Sequence, residues 1–291
     1  MTKHQSYYVP AQSAWPIIGA IGLFLIAFGA GNYVQQLSSE ASGPGGYLLI
    51  AGLAIIIFMI FGWFRTVIEE SMSGLYSPQM DRSFRQGMSW FIFSEIMFFG
   101  AFFGALFYAR MLSVPWLGGA SNNAMTHQVL WPTFEAIWPL VTTPDGTKTE
   151  AMGWNGLPLI NTILLLTSSV TLHFAHVSLE KSKRSAIGLW LGLTIILGIA
   201  FLVLQVEEYT HAYQEMGLTL ASGIYGNTFF LLTGFHGMHV TLGTVFLIVL
   251  FVRVLKGHFS PDKHFAFQAG SWYWHFVDVV WLCLFLFVYV L

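Results

Sequence analysis

Cysteine and charged residues are scarce in this chain of 291 residues. Cys283 is the only cysteine, which excludes an internal disulfide, a CxxC redox pair, a CxxCH haem attachment and a cysteine-based zinc or copper cluster. Only 9% of the residues are charged, whereas soluble domains have roughly 25%. The net charge of −2 gives no sign of a nucleic-acid partner. Because 55% of the residues are hydrophobic, the composition is that of a multi-pass membrane protein.

The motifs of self-contained enzymes are also missing. The sequence has no Walker A loop, no GxGxxG turn, no nucleophile elbow and no HExxH metal motif. We therefore expect no catalytic residues within this single chain.

Seven apolar runs are long enough to cross a bilayer, which takes about 20 residues per helix. They lie at about residues 15–36, 46–68, 87–110, 158–178, 186–208, 226–252 and 269–291. The sequence thus predicts an all-α membrane protein, with one domain over residues 1–291. Its one long connection, 111–157, contains four tryptophans, so we expect it to fold as a cap at the outer membrane interface.

Basic residues indicate the orientation of the helices. With the N-terminus inside, ten of the twelve Lys and Arg residues fall on the inner side, and only Arg110 and Lys148 fall outside. The inner ones are Lys3, Arg65, Arg82, Arg85, Lys181, Lys183, Arg184, Arg253, Lys256 and Lys263. Cytoplasmic loops are enriched in such residues, so the pattern predicts an inner N-terminus and an outer C-terminus.

Glu95 is the most informative ionisable residue, because it stands among apolar residues about eight positions into the third run. At 1.5 Å per residue it lies roughly 12 Å along the helix, near the middle of the membrane. Burial favours the protonated carboxyl. Two interpretations stay open: a proton-handling or cavity-lining site, and a protonated acid hydrogen-bonded to a neighbouring helix.

Pairs of ionisable residues three positions apart share one face of a helix in three other runs. They are His173 and His176, His236 and His239, and His275 and Asp278. Histidine pairs suggest a metal or haem site, but an HxxHH cluster is absent and a copper site of the oxidase type needs two cysteines. We therefore expect no metal, and assign these residues to buried hydrogen bonds between helices.

Residues near the ends of the runs have simpler interpretations. Glu207, Glu208 and Tyr209 are expected to form a solvated helix end. Arg65 and Arg253 stand at inner helix ends, where arginine extends to lipid phosphates. Small residues four positions apart let helices approach closely, which predicts helix packing at Gly100-x-x-x-Gly104 and Gly188-x-x-x-Gly192.

Several segments, in order along residues 60–291, resemble subunit III of the haem–copper cytochrome c oxidases. They are SEIMFFGAFF around Glu95, LVLQVEEY, GIYGNTFFLLTGFHGMHVTLGTVFLI, FVRVLKGHF and the closing YWHFVDVVW. The first run and the 111–157 connection match only by position. Two departures are Gln268, where family members often carry Glu, and Leu75-Tyr76, where many members have histidines.

The resemblance implies a non-redox subunit of a proton-pumping terminal oxidase. Its seven helices form two groups, helices 1–2 and 3–7, separated by a V-shaped cleft that holds phospholipid. Haem and copper belong to partner subunits I and II, with cytochrome c as an indirect partner and no cofactor in this chain. The subunit supports proton uptake and sustained turnover, Glu95 is the family's buried third-helix acid, and Arg65, Arg253 and Glu95 are lipid-binding candidates.

Three rival functions remain open on sequence alone: subunit III of a quinol oxidase, a proton-coupled transporter using Glu95 and Asp278, and a membrane metalloenzyme. Quinol oxidase subunits typically lack the first two helices, so seven runs favour the cytochrome c class. The long outer connection favours a bacterial inner membrane over a mitochondrial one.

Overall fold

A computed structural model describes residues 8–142, 146 and 148–291, so Lys3 of the charge pattern lies outside the described residues. Within these residues the chain is helical, with two isolated bridges, Thr142 to Lys148 and Ser260 to Lys263. The helices are α1 (Trp15–Ser38), α2 (Gly45–Met72), α3 (Pro78–Tyr108), α4 (Val114–Leu117), α5 (Ala124–Leu130), α6 (Leu157–Glu180), α7 (Arg184–Gln214), α8 (Gly223–Leu255) and α9 (Phe265–Leu284). Seven segments in the described part are long and apolar enough to cross a membrane, which confirms the predicted number.

The helices extend beyond the apolar runs. A π-helical turn, Ala109–Ser113, joins α3 to α4, so the third membrane segment covers Pro78–Leu117. A second π-helical segment, Phe285–Val290, ends the last one. Hydropathy marks only the part of a helix at lipid depth, whereas the backbone hydrogen bonds continue through polar turns. The polar residues that follow the fifth run are therefore still helical, up to Gln214.

The described chain forms two compact units, and the first unit ends at Phe84. In it, α1 and α2 pack through glycines. A Cβ on Gly29 would lie 2.4 Å from the backbone nitrogen of Leu49, and one on Gly52 would lie 2.7 Å from that of Ile26. Without Cβ atoms the two backbones approach closely, which is how helices associate in lipid.

A polar contact joins the segment before α1 to the end of α2 and the residues that follow it. The Tyr8 and Tyr76 hydroxyls donate to the two oxygens of Glu70, at 3.1 and 2.9 Å. Tyr76 lies after the end of α2, and burial followed by its bond to Glu70 raises the pKa of its hydroxyl above the ordinary value. The Leu75-Tyr76 departure from the family pattern thus supplies a hydrogen bond within the unit.

The second unit, Arg85–Leu291, packs around α9. Trp274 and Trp281 of α9 are fully buried, and their indole N–H groups donate to Ser168 and Thr162 of α6, each at 2.9 Å. Buried tryptophan needs such a partner for its N–H. The two bonds fix both the rotation and the height of α9 against α6.

The glycines that admit these indoles differ from the predicted ones. A Cβ on Gly198 or Gly243 would lie 2.7 or 3.0 Å from the Trp274 ring. At Gly100, Gly104 and Gly188 a Cβ would meet nothing within 4 Å. A Cβ on Gly192 would meet only the Phe251 side chain of α8, at 3.6 Å, so among the described residues these motifs bring no neighbouring helix backbone close.

The described residues of the 111–157 connection are folded, as its tryptophans suggested. After α5 the chain returns over the α7–α8 turn, where the Glu150 N–H donates to the Met216 carbonyl at 3.2 Å. The Met152 N–H donates to the Tyr225 hydroxyl oxygen at 3.1 Å, and the Trp138 ring packs edge-on against the Tyr225 ring.

Candidate functional site

Glu95 of α3 and His239 of α8 are hydrogen-bonded to each other. The Glu95 Oε2 atom lies 2.8 Å from His239 Nε2, and the two side chains are 21% and 7% exposed. Phe98 and Phe99 pack against the imidazole, at ring distances of 5.8 and 4.9 Å. The structure thus places the predicted third-helix acid beside a base that is 144 positions away in sequence.

The second ring nitrogen determines where the proton of this pair can be. His239 Nδ1 lies 2.6 Å from the Phe235 carbonyl oxygen, which can only accept, so Nδ1 carries a hydrogen. A neutral His239 then has a bare Nε2, and the hydrogen bond to Glu95 requires a protonated carboxyl. The alternative is an imidazolium facing a carboxylate. Both arrangements share one proton and have no net charge.

His236 lies on the same helix but bonds elsewhere. Its Nε2 donates to the Val277 carbonyl of α9 at 3.2 Å, and its ring packs on Trp281 at 5.0 Å. Its Nδ1 is buried without a hydrogen-bonding partner among the described residues. Since His236 bonds α9 and His239 bonds α3, the two imidazoles do not converge on one point.

His275 and Asp278 of α9 lie in different environments, although they share a face. His275 is 41% exposed rather than buried, and its Nδ1 lies 2.5 Å from the Ser169 hydroxyl oxygen of α6. Asp278 is buried, with neither oxygen hydrogen-bonded in the part of the chain that the structure describes. Its nearest basic atom is His275 Nδ1, at 4.0 Å.

The histidines of α6 also differ from the prediction of two buried residues. His173 is exposed at the surface of the helix. His176 is partly buried, with its Nε2 atom 3.9 Å from Glu180 Oε1 and its ring 5.5 Å from that of His264. His264 precedes α9 and was not among the predicted site residues, because its partner in space is 88 positions earlier.

The expected solvated end of the fifth run is instead a buried polar cluster. Glu208 is fully buried, and its Oε1 accepts a hydrogen bond from the Tyr289 hydroxyl at 2.7 Å. The neighbouring Tyr209 hydroxyl lies 2.7 Å from Thr233 Oγ1. One signal in the sequence was usable: Tyr289 is the only tyrosine in the last half of the closing run, and a buried tyrosine hydroxyl needs a partner.

The two lipid-binding candidates have different surroundings. Arg65 is 81% exposed and forms an ion pair with Glu69, at 2.9 Å from Nε to Oε1. Arg253 is buried, and its guanidinium lies 4.5 Å above the Phe259 ring. Its Nε has no hydrogen-bonding partner among the described residues. His258 next to it lies outside the membrane segments, and desolvation, followed by the charge of Arg253, lowers the pKa of its imidazole.

Gln268, the position where the family often has Glu, forms a bond near the start of α9. Its Oε1 accepts a hydrogen bond from Arg85 of α3. The Arg85 guanidinium also lies 5.1 Å above the Phe265 ring. An amide here still holds α3 to α9, and it adds no negative charge.

Comparison with known proteins gives one family over nearly the whole chain. The family model described as cytochrome c oxidase subunit III matches residues 4–291. Similar curated proteins named cytochrome c oxidase subunit 3 include those of Hippopotamus amphibius and Loxodonta africana, each 38% identical over 289 residues, and that of Phoca vitulina, 39% identical. Each alignment covers 98% of both chains.

Proposed function

Because the chain belongs to the cytochrome c oxidase subunit III family, we propose that it is the non-redox third subunit of a proton-pumping oxidase. Electrons pass from cytochrome c to oxygen through haem and copper in subunits I and II. The histidines of the bundle interior support this division, since His236 and His239 are each bonded to a different helix. The relatives are named for cytochrome c oxidase, which disfavours the quinol oxidase alternative.

One face of α3 supports assembly with a partner subunit. Four large apolar side chains on it are exposed, and Gly100 and Gly104 lie between them at the same helical spacing. The four are Trp90, Phe93, Met97 and Phe107. The steps of three and four positions place all six residues on one stripe. A stripe of small and large residues open at the surface suits a transmembrane helix of another subunit.

Co-purification tests this assignment. The tagged chain should co-purify with haem-containing subunits, with one copy of the haem-containing complex for each tagged chain. Gly100→Leu with Gly104→Leu should lower the haem recovered, because the added side chains hold a partner helix away. Gly188→Leu, at an equally open glycine on α7, is the matched control and should recover as much as the parent. A parent chain that purifies alone, without haem, would refute the function.

Within the complex, we assign the Glu95–His239 bond a role in sustained turnover. It joins α3 to α8 near the middle of the membrane, and Glu95 is partly exposed on the α3 surface. Supporting proton uptake into the catalytic subunit belongs to the same proposal, through the helix packing that this bond maintains rather than through transfer of the shared proton itself.

We propose that each of the two units binds lipid through one arginine, Arg65 in the first unit and Arg253 in the second. Arg65 is exposed at the inner end of α2, where it reaches headgroup depth. Arg253 has buried guanidinium surface and an unpartnered Nε, so a phosphate oxygen would complete its bonding. The cleft that the family resemblance implies between the two helix groups stays a prediction.

Lipid analysis of the purified complex tests these two arginines. Arg65→Ala with Arg253→Ala should lower the tightly bound phospholipid and shorten the operational lifetime of the oxidase. Arg110→Ala, at the outer end of the third membrane segment, controls for loss of charge alone. Unchanged lipid content together with an unchanged lifetime would contradict a specific site, while the assignment as subunit III would stand.

For orientation we propose an inner N-terminus in a bacterial cell membrane. The ten-to-two distribution of basic residues supports the first part. The long outer connection, which packs on the α7–α8 turn, supports the second.

A further inference from the structure

Two histidines and a glutamate converge where α6 ends and α9 begins. His176 and Glu180 are four positions apart in the last turns of α6, and His264 immediately precedes α9. One ligand atom of each residue lies within 4.8 Å of the ligand atoms of the other two. Among the described residues this is the one group of three such side chains close enough to share an ion. It is separate from the Glu95–His239 pair.

The two imidazoles are prepared for a metal in different ways. The Nδ1 atom of His264 lies 3.2 Å from the Ser260 carbonyl oxygen, so Nδ1 holds the hydrogen and Nε2 keeps its lone pair. A backbone carbonyl that fixes the tautomer is the usual second contact of a metal-binding histidine. The Nε2 atom of His176 is buried and has no hydrogen-bonding partner among the described residues. A buried polar atom without a partner is costly, so a ligand there removes a penalty.

The spacing fits a tetrahedral ion after small side-chain rotations. Zinc bonds of about 2.1 Å place neighbouring ligand atoms about 3.4 Å apart. His176 Nε2 and Glu180 Oε1 are now 3.9 Å apart. Glu180 is 58% exposed at the end of its helix, so its carboxylate is free to rotate inward. The other wall is apolar, since the His176 ring packs on the fully buried Phe267.

We propose that His176, Glu180 and His264 form a binding site for a divalent transition metal of the zinc class, with the fourth position open to water. Two imidazoles and one carboxylate are a zinc donor set, whereas Ca²⁺ and Mg²⁺ select oxygen ligands. Lys181 and Lys263 adjoin two of the ligands in sequence and oppose a cation, so we expect micromolar affinity. Bound metal would tie the end of α6 to the start of α9, and it revises the expectation of no metal at these histidines.

The test uses the assembled oxidase complex, washed with a chelator and titrated with Zn²⁺ under equilibrium dialysis. The readout is the difference in bound zinc between complexes that contain the parent chain and those that contain a variant, which cancels zinc held by any other subunit. Glu180→Gln, His176→Gln and His264→Gln should each remove about one equivalent or weaken it at least tenfold. Glu180 is exposed, so its variant separates lost binding from lost folding.

Two matched controls come from the same chain. His173→Gln changes an exposed histidine one turn away on α6. His211→Gln breaks another i,i+4 pair, with Glu215 at 2.9 Å, that has no third ligand in the described part. Both should leave the zinc equivalent intact, and zinc X-ray absorption should show its two imidazoles in the parent and in both controls, but not in His176→Gln or His264→Gln. Equal losses in His211→Gln and His264→Gln, retention of the equivalent in Glu180→Gln, or an all-oxygen zinc environment would each overturn the site.

Discussion

Replacing Glu95 separates its hydrogen bond from its proton. In Glu95→Gln the amide N–H donates to the bare Nε2 of His239, so the bond between α3 and α8 remains and the titratable proton is gone. In Glu95→Ala both are lost, and a gap opens beside Phe98 and Phe99. We expect both complexes to reduce oxygen at first, and only the Ala variant to lose activity faster during turnover.

The size of the effect of Glu95→Ala follows from His239 Nε2, which loses its hydrogen-bonding partner. A buried acceptor without a partner costs about 1–3 kcal/mol. His239 is nearly buried, but Glu95 is partly exposed, so water can enter the gap and the cost falls near the lower end. About 1 kcal/mol corresponds to roughly fivefold in the equilibrium between packed and separated helices. The inactivation rate should therefore rise roughly fivefold in Glu95→Ala and less than twofold in Glu95→Gln.

The assay follows oxygen consumption by the purified complex until activity decays, with proton release recorded in vesicles. Ser94→Ala is the matched control, because the Ser94 hydroxyl donates only to the Phe91 carbonyl of its own helix. If Glu95→Gln alone abolished initial oxygen reduction or proton pumping, the structural account would fail. A direct proton-transfer role for Glu95 would then replace it.

The remaining predictions concern orientation and polar contacts. In a Cys283→Ser background, single cysteines at Ser39 and Ala221 should label from outside and those at Ser182 and Ser260 from inside; one position labelled from the opposite side contradicts the topology. Tyr289→Phe removes the donor to buried Glu208 and should lower the thermal midpoint by an amount equivalent to about 1–3 kcal/mol, whereas Glu207→Gln at its exposed neighbour should not. Because the pKa of Tyr76 is raised in the folded protein, its stabilising effect is complete below the ordinary tyrosine pKa and is lost as the pH rises towards the folded pKa. Alkaline unfolding should therefore begin at lower pH in the parent than in Tyr76→Phe. Equal onsets would exclude Tyr76 as the cause.

The number of membrane helices was predictable because the bilayer imposes one strong rule, a long apolar run for each crossing. The ends were not, since helices continue after the apolar residues stop. Polar residues from Glu207 onwards suggested water, yet Glu208 is buried. Only its partner Tyr289, 81 positions later, explains that burial, and sequence alone does not say that α7 and the end of the last segment touch.

The site was predictable residue by residue but not as pairs. The position of Glu95 deep in an apolar run was enough to identify it from the sequence. Identifying His239 as its partner requires knowing that α3 lies next to α8. The glycine motifs failed for a related reason: spacing shows which face could approach a neighbour, and it does not identify the neighbour. Close approach occurs at Gly198 and Gly243, where a tryptophan of α9 takes up the space.

Fully buried Glu208 and partly exposed Glu95, both in the second unit, differ in how they are hydrogen-bonded. Glu208 accepts its bond from the Tyr289 hydroxyl at Oε1, so this contact needs an acceptor oxygen on Glu208 and the proton on the phenol. Glu95 faces an imidazole whose other nitrogen is committed to a carbonyl, so the bond survives with the proton on either atom and without net charge. A helix contact of that kind keeps its hydrogen bond whichever of the two groups holds the proton. This difference explains why a titratable acid, rather than an amide or a hydroxyl, can stand at the α3–α8 contact without weakening it.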